Sequence, residues 1–146
     1  MNYYPENMYY PYYDPQHYSQ NQSDQNPNTV NPSQRQQAKV ILWRTLGRGG
    51  YWRLTNHGNG IVTLQNNAET QFQNWYLDID GTTGDVILSR NLGRGGYWRL
   101  TNHGNGIVTL QNNAETQFQN WYLDIDGTTG DVILSRNLGR GGYWRL

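Results

Sequence analysis

Short stretches of alternating apolar and polar residues, separated by Gly, Asn and Asp, fill the chain from residue 38 to residue 146. In one of them, Trp75, Leu77 and Ile79 alternate with Tyr76 and Asp78. Because successive side chains of a β-strand point to opposite faces, the first three are predicted to face a core and the other two to face outward. Glycine is frequent and no apolar stripe has a helical period, so the pattern predicts an all-β domain made of hairpins.

This alternating pattern is a tandem repeat of 46 residues. Residues 46–91 recur without a change as residues 92–137, and residues 138–146 begin a third, partial copy. Upstream, residues 40–42 read Val-Ile-Leu, like residues 86–88, so the pattern starts near residue 38. Each unit contains two successive W-x-L and V-x-L stretches with a Gly-containing turn between them, which predicts two hairpins and four strands per unit.

Four strands per unit predict a β-trefoil-like fold, which is built from three such units and twelve strands. Residues 38–146 number 109, which is about 2.4 units, and contain ten predicted strands. Three interpretations follow: the barrel closes imperfectly, two chains complete each other, or the architecture is another repeat fold. Exposed strand edges in an open array would favour self-association.

Residues 1–37 differ in composition from the repeat domain at 38–146. All five prolines lie at or before Pro32, and all 17 glycines lie at or after Gly47. The first segment is rich in Tyr, Asn, Gln and Ser but poor in aliphatic residues, so it is predicted to be a disordered tail. It is either a solvated tail or an adhesive arm for assembly or surface attachment. Its composition resembles that of the Tyr-rich tails of bacterial spore-coat proteins.

Two short motifs in each unit resemble those of a known family. Residues 77–88, LDIDGTTGDVIL, resemble the L-D-x-x-G…V-x-L core of ricin-B-type lectin repeats. The stretches Gln73-Asn74-Trp75 and Gln119-Asn120-Trp121 match the Q-x-W motif of the same family. This resemblance covers residues 38–146 and implies a β-trefoil fold and carbohydrate binding.

The resemblance also implies the site residues. In ricin-type lectins the aspartate after the conserved leucine binds sugar, and an asparagine lies nearby. A sugar needs a carboxylate to accept paired hydroxyl hydrogen bonds and an aromatic face to cover its C–H surface. The alternative is that these aspartates flank turns and accept hydrogen bonds from local backbone N–H groups. The predicted carbohydrate-binding residues are Tyr76, Asp78 and Asn91 in the first complete unit and Tyr122, Asp124 and Asn137 in the second.

The remaining motifs favour turns over metal or nucleic-acid sites. The acidic run at 78–85 lacks the glycine and glutamate positions of an EF-hand, so an acidic β-turn is favoured over a calcium site. Arg48-Gly49-Gly50-Tyr51 runs into a predicted strand, which favours a glycine hairpin turn over an RNA-binding motif. His57 lies in a turn, and its unit has no second metal ligand at zinc spacing.

No group of side chains that could act together in catalysis is predicted. Asp78 and Asp80 share one face of a strand, and two carboxylates can perform acid–base hydrolysis. That face is predicted to be solvated, where neither pKa would move far from its ordinary value. With no catalytic residue, metal site or cofactor predicted, the sequence favours binding over enzymatic activity.

Bulk composition narrows the class of partner. The formal net charge is zero, which disfavours nucleic acid. The absence of cysteine excludes disulfides and thiolate metal sites. No apolar run approaches the ~18 residues of a membrane helix, so no membrane insertion is predicted. The N-terminus lacks the basic and apolar regions of a standard secretory signal. The compartment stays open, with a cell or spore surface as one interpretation.

Two hypotheses for function follow from these patterns. The first is a lectin-like module that binds glycans through one shallow site per repeat. The alternative is a structural, self-assembling protein of a cell surface or spore coat that has no ligand.

Overall fold

The computed structural model describes residues 10–13, 37–43 and 48–146. Within these ranges the regular structure is β-strand with three 3-10 helical turns, and no helix is long and apolar enough to cross a membrane. The strands are β1 (Tyr10–Tyr13), β2 (Gln37–Trp43), β3 (Trp52–Asn56), β4 (Ile61–Asn66), β5 (Tyr76–Ile79), β6 (Val86–Ser89), β7 (Trp98–Gly104), β8 (Ile107–Asn112), β9 (Tyr122–Ile125), β10 (Val132–Ser135) and β11 (Trp144–Arg145). The turns are Arg48–Gly50, Arg94–Gly96 and Arg140–Gly142. The all-β prediction is confirmed, and β2 to β11 are the ten predicted strands.

Each complete unit contains four strands that pair as two hairpins. In the first unit β3 pairs with β4 and β5 pairs with β6, and in the second β7 pairs with β8 and β9 with β10. Strand pairing also joins each unit to the next. Val62 of β4 lies opposite Trp98 of β7, and Val108 of β8 lies opposite Trp144 of β11. The Gly58-Asn59-Gly60 turn has positive φ at all three residues, which Gly and Asn tolerate best.

The five tryptophans whose side chains the structure describes share one interior. Trp75, Trp98 and Trp144 belong to the buried core cluster, and Trp52 and Trp121 pack against it. The indole nitrogens of Trp98 and Trp144 donate hydrogen bonds to the carbonyl oxygens of residues 77 and 123 in the preceding unit, at 3.0 and 2.9 Å. The core therefore holds the units to each other, because each of these indoles both fills the interior and satisfies a carbonyl of its neighbour.

The predicted faces hold in β3 but not on the outward side of β4. Trp52 and Leu54 are half-buried while Arg53 and Thr55 are exposed. Thr63, predicted to point away from the core, is instead 2% exposed. The hydroxyl of Thr63 and Nε2 of His57 lie 2.9 Å apart, so the second face of β4 is also covered.

Strand β1 lies within the segment that was predicted to be a tail. Residues 10–13 pair antiparallel with residues 40–43, and residues 76–79 pair with residues 86–89 in the same way. Since residues 40–42 repeat residues 86–88 in sequence, the two hairpins have the same register. Strand β1 therefore takes the place, in a third unit, that β5 takes in the first.

The surroundings of β1 agree with this equivalence. It lies against the turn Arg48–Gly50 as β5 lies against Arg94–Gly96. In this register Tyr12 has the backbone position of Asp78. With β11 as first strand, β1 as third and β2 as fourth, the third unit has three of its four strands among the described residues. The rest of the predicted disordered tail, apart from Gln37, lies outside the described residues.

Candidate functional site

Asp78 is hydrogen-bonded to a glycine turn that follows it by fifteen residues. Its Oδ2 accepts a hydrogen bond from the backbone N–H of Gly93 at 3.0 Å, and its Oδ1 accepts one from the N–H of Ile79 at 2.8 Å. In the second unit Asp124 accepts the equivalent bond from the N–H of Gly139 at 3.0 Å. Each aspartate thus joins the end of one unit to the start of the next. Its bond to the next residue is of the local kind that the turn alternative predicted, whereas the bond fifteen residues away is not.

Both aspartates are buried, which corrects the prediction that they lie on a solvated face. Asp78 and Asp124 are each 4% exposed. The glycine turn of the following unit covers them, and the alternation within a single strand does not show that cover. Desolvation by burial raises the pKa of Asp78, and the backbone hydrogen bonds from Ile79 and Gly93 oppose this shift. Asp78 is therefore not on the solvated face from which an ordinary pKa was expected.

The glycines of the turn are required by this close approach. A β-carbon on Gly95 would overlap Cγ1 of Ile79 and lie 2.6 Å from Oδ1 of Asp78. In the second unit a β-carbon on Gly141 would lie 2.8 Å from Oδ1 of Asp124. The Arg-Gly-Gly motif is therefore a structural turn, but it is not the predicted hairpin turn. It is a 3-10 turn that connects β6 to β7, and β6 pairs with β2 and β5 while β7 pairs with β4 and β8.

A buried asparagine holds the same turn from within its own unit. Nδ2 of Asn112 donates to the carbonyl of Gly95 at 2.8 Å, and its Oδ1 accepts from the N–H of Ala114 at 3.0 Å. Asn66 makes the equivalent bonds in the first unit and, like Asn112, is fully buried. Sequence reasoning missed both asparagines. Their position at the end of an apolar strand, where a polar residue interrupts the core pattern, is the signal that could have identified them.

The other predicted site residues lie around the end of the β5–β6 hairpin. Tyr76 is half-buried and pairs with Ser89 across the hairpin. The hydroxyl of Ser89 donates to the carbonyl of Asn91, whose side chain is exposed, at 2.8 Å. Asp78 binds the backbone two residues further on, at Gly93. The structure thus connects all three predicted residues through the backbone of residues 89–93, with Tyr76 and Asn91 accessible and Asp78 buried.

The second unit has the same arrangement. Tyr122 is half-buried, Asn137 is exposed, and the hydroxyl of Ser135 donates to the carbonyl of Asn137 at 2.7 Å. Two surfaces of identical sequence, one per complete unit, therefore present a tyrosine and an asparagine to solvent.

Asp80 has a separate role in the turn between β5 and β6. Its Oδ1 accepts hydrogen bonds from the N–H groups of Thr82 and Thr83 at 2.8 and 3.1 Å. This is the acidic turn that was favoured over a calcium site. Among the described residues, no three His, Asp or Glu side chains are grouped so that they could hold a metal ion.

Aromatic side chains form a further surface where consecutive units meet. His57 and Tyr97 pack edge to face with ring centroids 5.5 Å apart, and His103 and Tyr143 repeat the contact. Tyr51 holds the same repeat position at the start of the first unit and is 55% exposed. It lies in a different part of the repeat from Tyr76, and it therefore serves as a control tyrosine.

Comparison with known proteins identifies the fold. No protein-family model and no curated protein sequence matches the chain. Solved structures do match, among them the designed three-fold symmetric protein ThreeFoil, with a TM-score of 0.58 and 23% identity over 75% of this chain and 81% of that one. SeviL bound to the asialo-GM1 saccharide matches with a TM-score of 0.55 and 18% identity, over 73% of this chain and 77% of SeviL. With four strands per unit, these likenesses show a β-trefoil fold.

A third similar structure belongs to a larger enzyme. The GlcNAcα1-4Gal-releasing endo-β-galactosidase of Clostridium perfringens matches with a TM-score of 0.58 and 16% identity. The match covers 94% of this chain but 31% of the enzyme chain. The structural neighbours thus include a saccharide-bound protein and an endo-β-galactosidase.

Proposed function

We propose that this protein is a carbohydrate-binding module with one shallow site on each complete unit and no catalytic activity of its own. The sites are formed by Tyr76, Asp78 and Asn91, and by Tyr122, Asp124 and Asn137. The fold supports this proposal, because a β-trefoil carries the saccharide in the SeviL complex. One fold can host many functions, so the residues of the site decide whether this chain binds a sugar.

The observation that carries the proposal is the hydrogen bond between Asp78 and the backbone of Gly93, two residues after Asn91. The buried carboxylate holds Gly93 at 3.0 Å, and this fixes a short loop beside the half-buried ring of Tyr76. A loop that is already ordered loses little conformational entropy when a ligand binds. Tyr76 would cover the C–H face of a sugar, Asn91 would donate and accept hydrogen bonds with its hydroxyls, and Asp78 would position the loop that carries Asn91.

Shallow sites of this kind act together. A site formed by one aromatic ring and one amide is expected to bind with a Kd of about 1 mM, or about −4 kcal/mol. Because the two sites have identical sequences, both bind the same sugar. On a surface that bears many copies of a glycan, simultaneous engagement would raise the apparent affinity by about 100-fold or more.

A glycan array tests the proposal and includes the asialo-GM1 saccharide and GlcNAcα1-4Gal among its glycans. We expect the wild-type chain to bind a defined set of glycans. The variants Tyr76→Ala/Tyr122→Ala and Asn91→Ala/Asn137→Ala should lose most of that signal, while Tyr51→Ala, at an exposed tyrosine elsewhere, should retain it. If all variants give the wild-type profile, the assigned sites are wrong.

One observation favours the alternative of a structural, self-assembling protein. Strand β1, from the Tyr-rich segment, pairs with the edge of β2, and the same pairing between chains would assemble them. Sedimentation velocity with and without residues 1–37 separates the two functions. Large assemblies that need this segment and bind no glycan would favour the structural function, and a monomer that captures glycans would favour the lectin.

A further inference from the structure

A cleft lies where the two complete units meet. Its volume is about 210 Å³. The first unit contributes residues 83–86, at the turn of the β5–β6 hairpin, and the second contributes Phe118, Trp121 and residues 132–134 of β10. None of the residues assigned to the two proposed sugar sites lines this cleft.

The apolar wall of the cleft is more exposed than the equivalent residues of the first unit. Trp121 and residues 133–134 are half-buried, whereas Trp75 and residues 87–88, which are identical in sequence, are buried. The difference must come from the surroundings, since the local sequence is the same. A partly exposed indole beside aliphatic side chains matches the C–H face of a sugar ring.

Polar groups line the same cleft. The Asp85 carboxylate accepts a hydrogen bond from the hydroxyl of Thr83 at 2.8 Å, and that hydroxyl accepts one from the Asp85 N–H at 3.2 Å. Both side chains are exposed. An ionised carboxylate has about four acceptor positions, so Asp85 retains capacity for the hydroxyl groups of a ligand.

The walls are held in place by contacts across the junction. A β-carbon on Gly84 would lie 2.7 Å from the ring of Phe118, so the turn and the ring are in direct contact. Phe118 packs edge to face on Trp121 with centroids 5.3 Å apart, and the guanidinium of Arg136 lies 5.3 Å from the same indole. A ligand would therefore enter a cleft whose walls are already formed.

The size of the cleft limits the ligand. A volume of 210 Å³ is below the roughly 300–1,000 Å³ of sites for drug-sized ligands and equals the space of about seven waters. This is the scale of one sugar ring. We propose that the cleft is an additional carbohydrate subsite that takes a single pyranose residue, with Trp121 covering its C–H face and Asp85 and Thr83 binding its hydroxyls.

This proposal rests on the proposed function, because it takes the ligand to be a carbohydrate. The test uses the full chain labelled with 5-fluorotryptophan and titrated with the asialo-GM1 saccharide and with GlcNAcα1-4Gal. The 19F resonance of Trp121 is assigned with Trp121→Phe. We expect it to shift saturably, and Asp85→Asn to weaken the affinity read at this resonance by about tenfold, since a charged acceptor is lost.

Asp131→Asn is the matched control. Asp131 accepts the same local hydrogen bond, from the hydroxyl of Thr129 at 3.0 Å. Its turn has no facing ring, since a β-carbon on Gly130 would meet nothing within 4 Å. Asp131→Asn should leave the affinity at the Trp121 resonance unchanged.

The outcomes separate the subsite from the function on which it rests. A shift of Trp121 that Asp85→Asn weakens and Asp131→Asn does not would support the subsite. Glycan binding on the array with an unmoved Trp121 resonance, or equal weakening by both aspartate variants, would overturn the subsite alone. If the wild-type chain binds no glycan at all, the proposed function fails and the subsite fails with it.

Discussion

Gly84 of the first unit lies directly against the ring of Phe118 in the second, so closely that a β-carbon on Gly84 would sit 2.7 Å from the ring. The equivalent glycine of the second unit, Gly130, has open space at this position. The two glycines have nearly the same backbone conformation, with φ of 79° and 76°. They therefore differ in their packing and not in their local strain.

This difference predicts unequal costs for the same substitution. Gly84→Ala and Gly130→Ala both place a side chain at positive φ, but only the first also displaces Phe118. We expect Gly84→Ala to lower the free energy of unfolding by about 1–3 kcal/mol more than Gly130→Ala. Urea denaturation of the two variants measures this difference. Equal midpoints would show that the turn and the ring are not in contact.

The buried carboxylate of Asp78 predicts a pH dependence of stability. Burial raises its pKa in the folded protein, so the folded state holds this proton more tightly than the unfolded chain, whose Asp has a pKa of about 3.9. The resulting stabilisation is complete below the unfolded pKa and is lost as the pH rises through the folded pKa.

The variant Asp78→Asn isolates this effect, because Asn does not titrate. The free energy of unfolding of the wild type minus that of Asp78→Asn should fall as the pH is raised from about 3.9 through the raised pKa. Urea titrations of both proteins at each pH give this difference. A difference that rises with pH over the same range would mean that the charged form of Asp78 is favoured in the folded state.

The register of β1 predicts that residues 10–13 belong to the folded domain. Deleting residues 1–13 removes a four-residue strand that pairs with residues 40–43. We expect the deletion to lower the free energy of unfolding by about 2–4 kcal/mol, at about 1 kcal/mol for each lost hydrogen bond. Replacing residues 14–26 with a Gly/Ser sequence of equal length is the control and should cost less. An unchanged urea midpoint after the deletion would show that β1 contributes nothing to the fold.

Sequence reasoning predicted the features that depend on neighbouring residues. The alternation at Leu77 and Ile79 placed both in the core, because the pleat of a strand is a local property. The Gly58-Asn59-Gly60 turn followed from residues that accept positive φ. The shared interior of the five described tryptophans followed from their regular spacing, which repeats one hairpin around a common core.

Features that depend on distant residues were not predicted. Asp78 is covered by a turn fifteen residues away, and Asn66 binds a carbonyl seventeen residues before it. Strand β1 lacks an alternating pattern and contains Pro11, which a strand tolerates at the edge of a sheet. Trp75 and Trp121 have the same neighbours in sequence but different exposure, and no local rule can separate them.

The central claim is that each complete unit binds one sugar. Calorimetric titration with the strongest glycan of the array tests it, in the Asp85→Asn background and at glycan concentrations too low to fill the weakened cleft. We expect Tyr76→Ala and Tyr122→Ala each to reduce the saturating heat to about half, as two independent sites require, and the double variant to abolish it. Full heat in either single variant, or heat that remains in the double variant, would contradict the account.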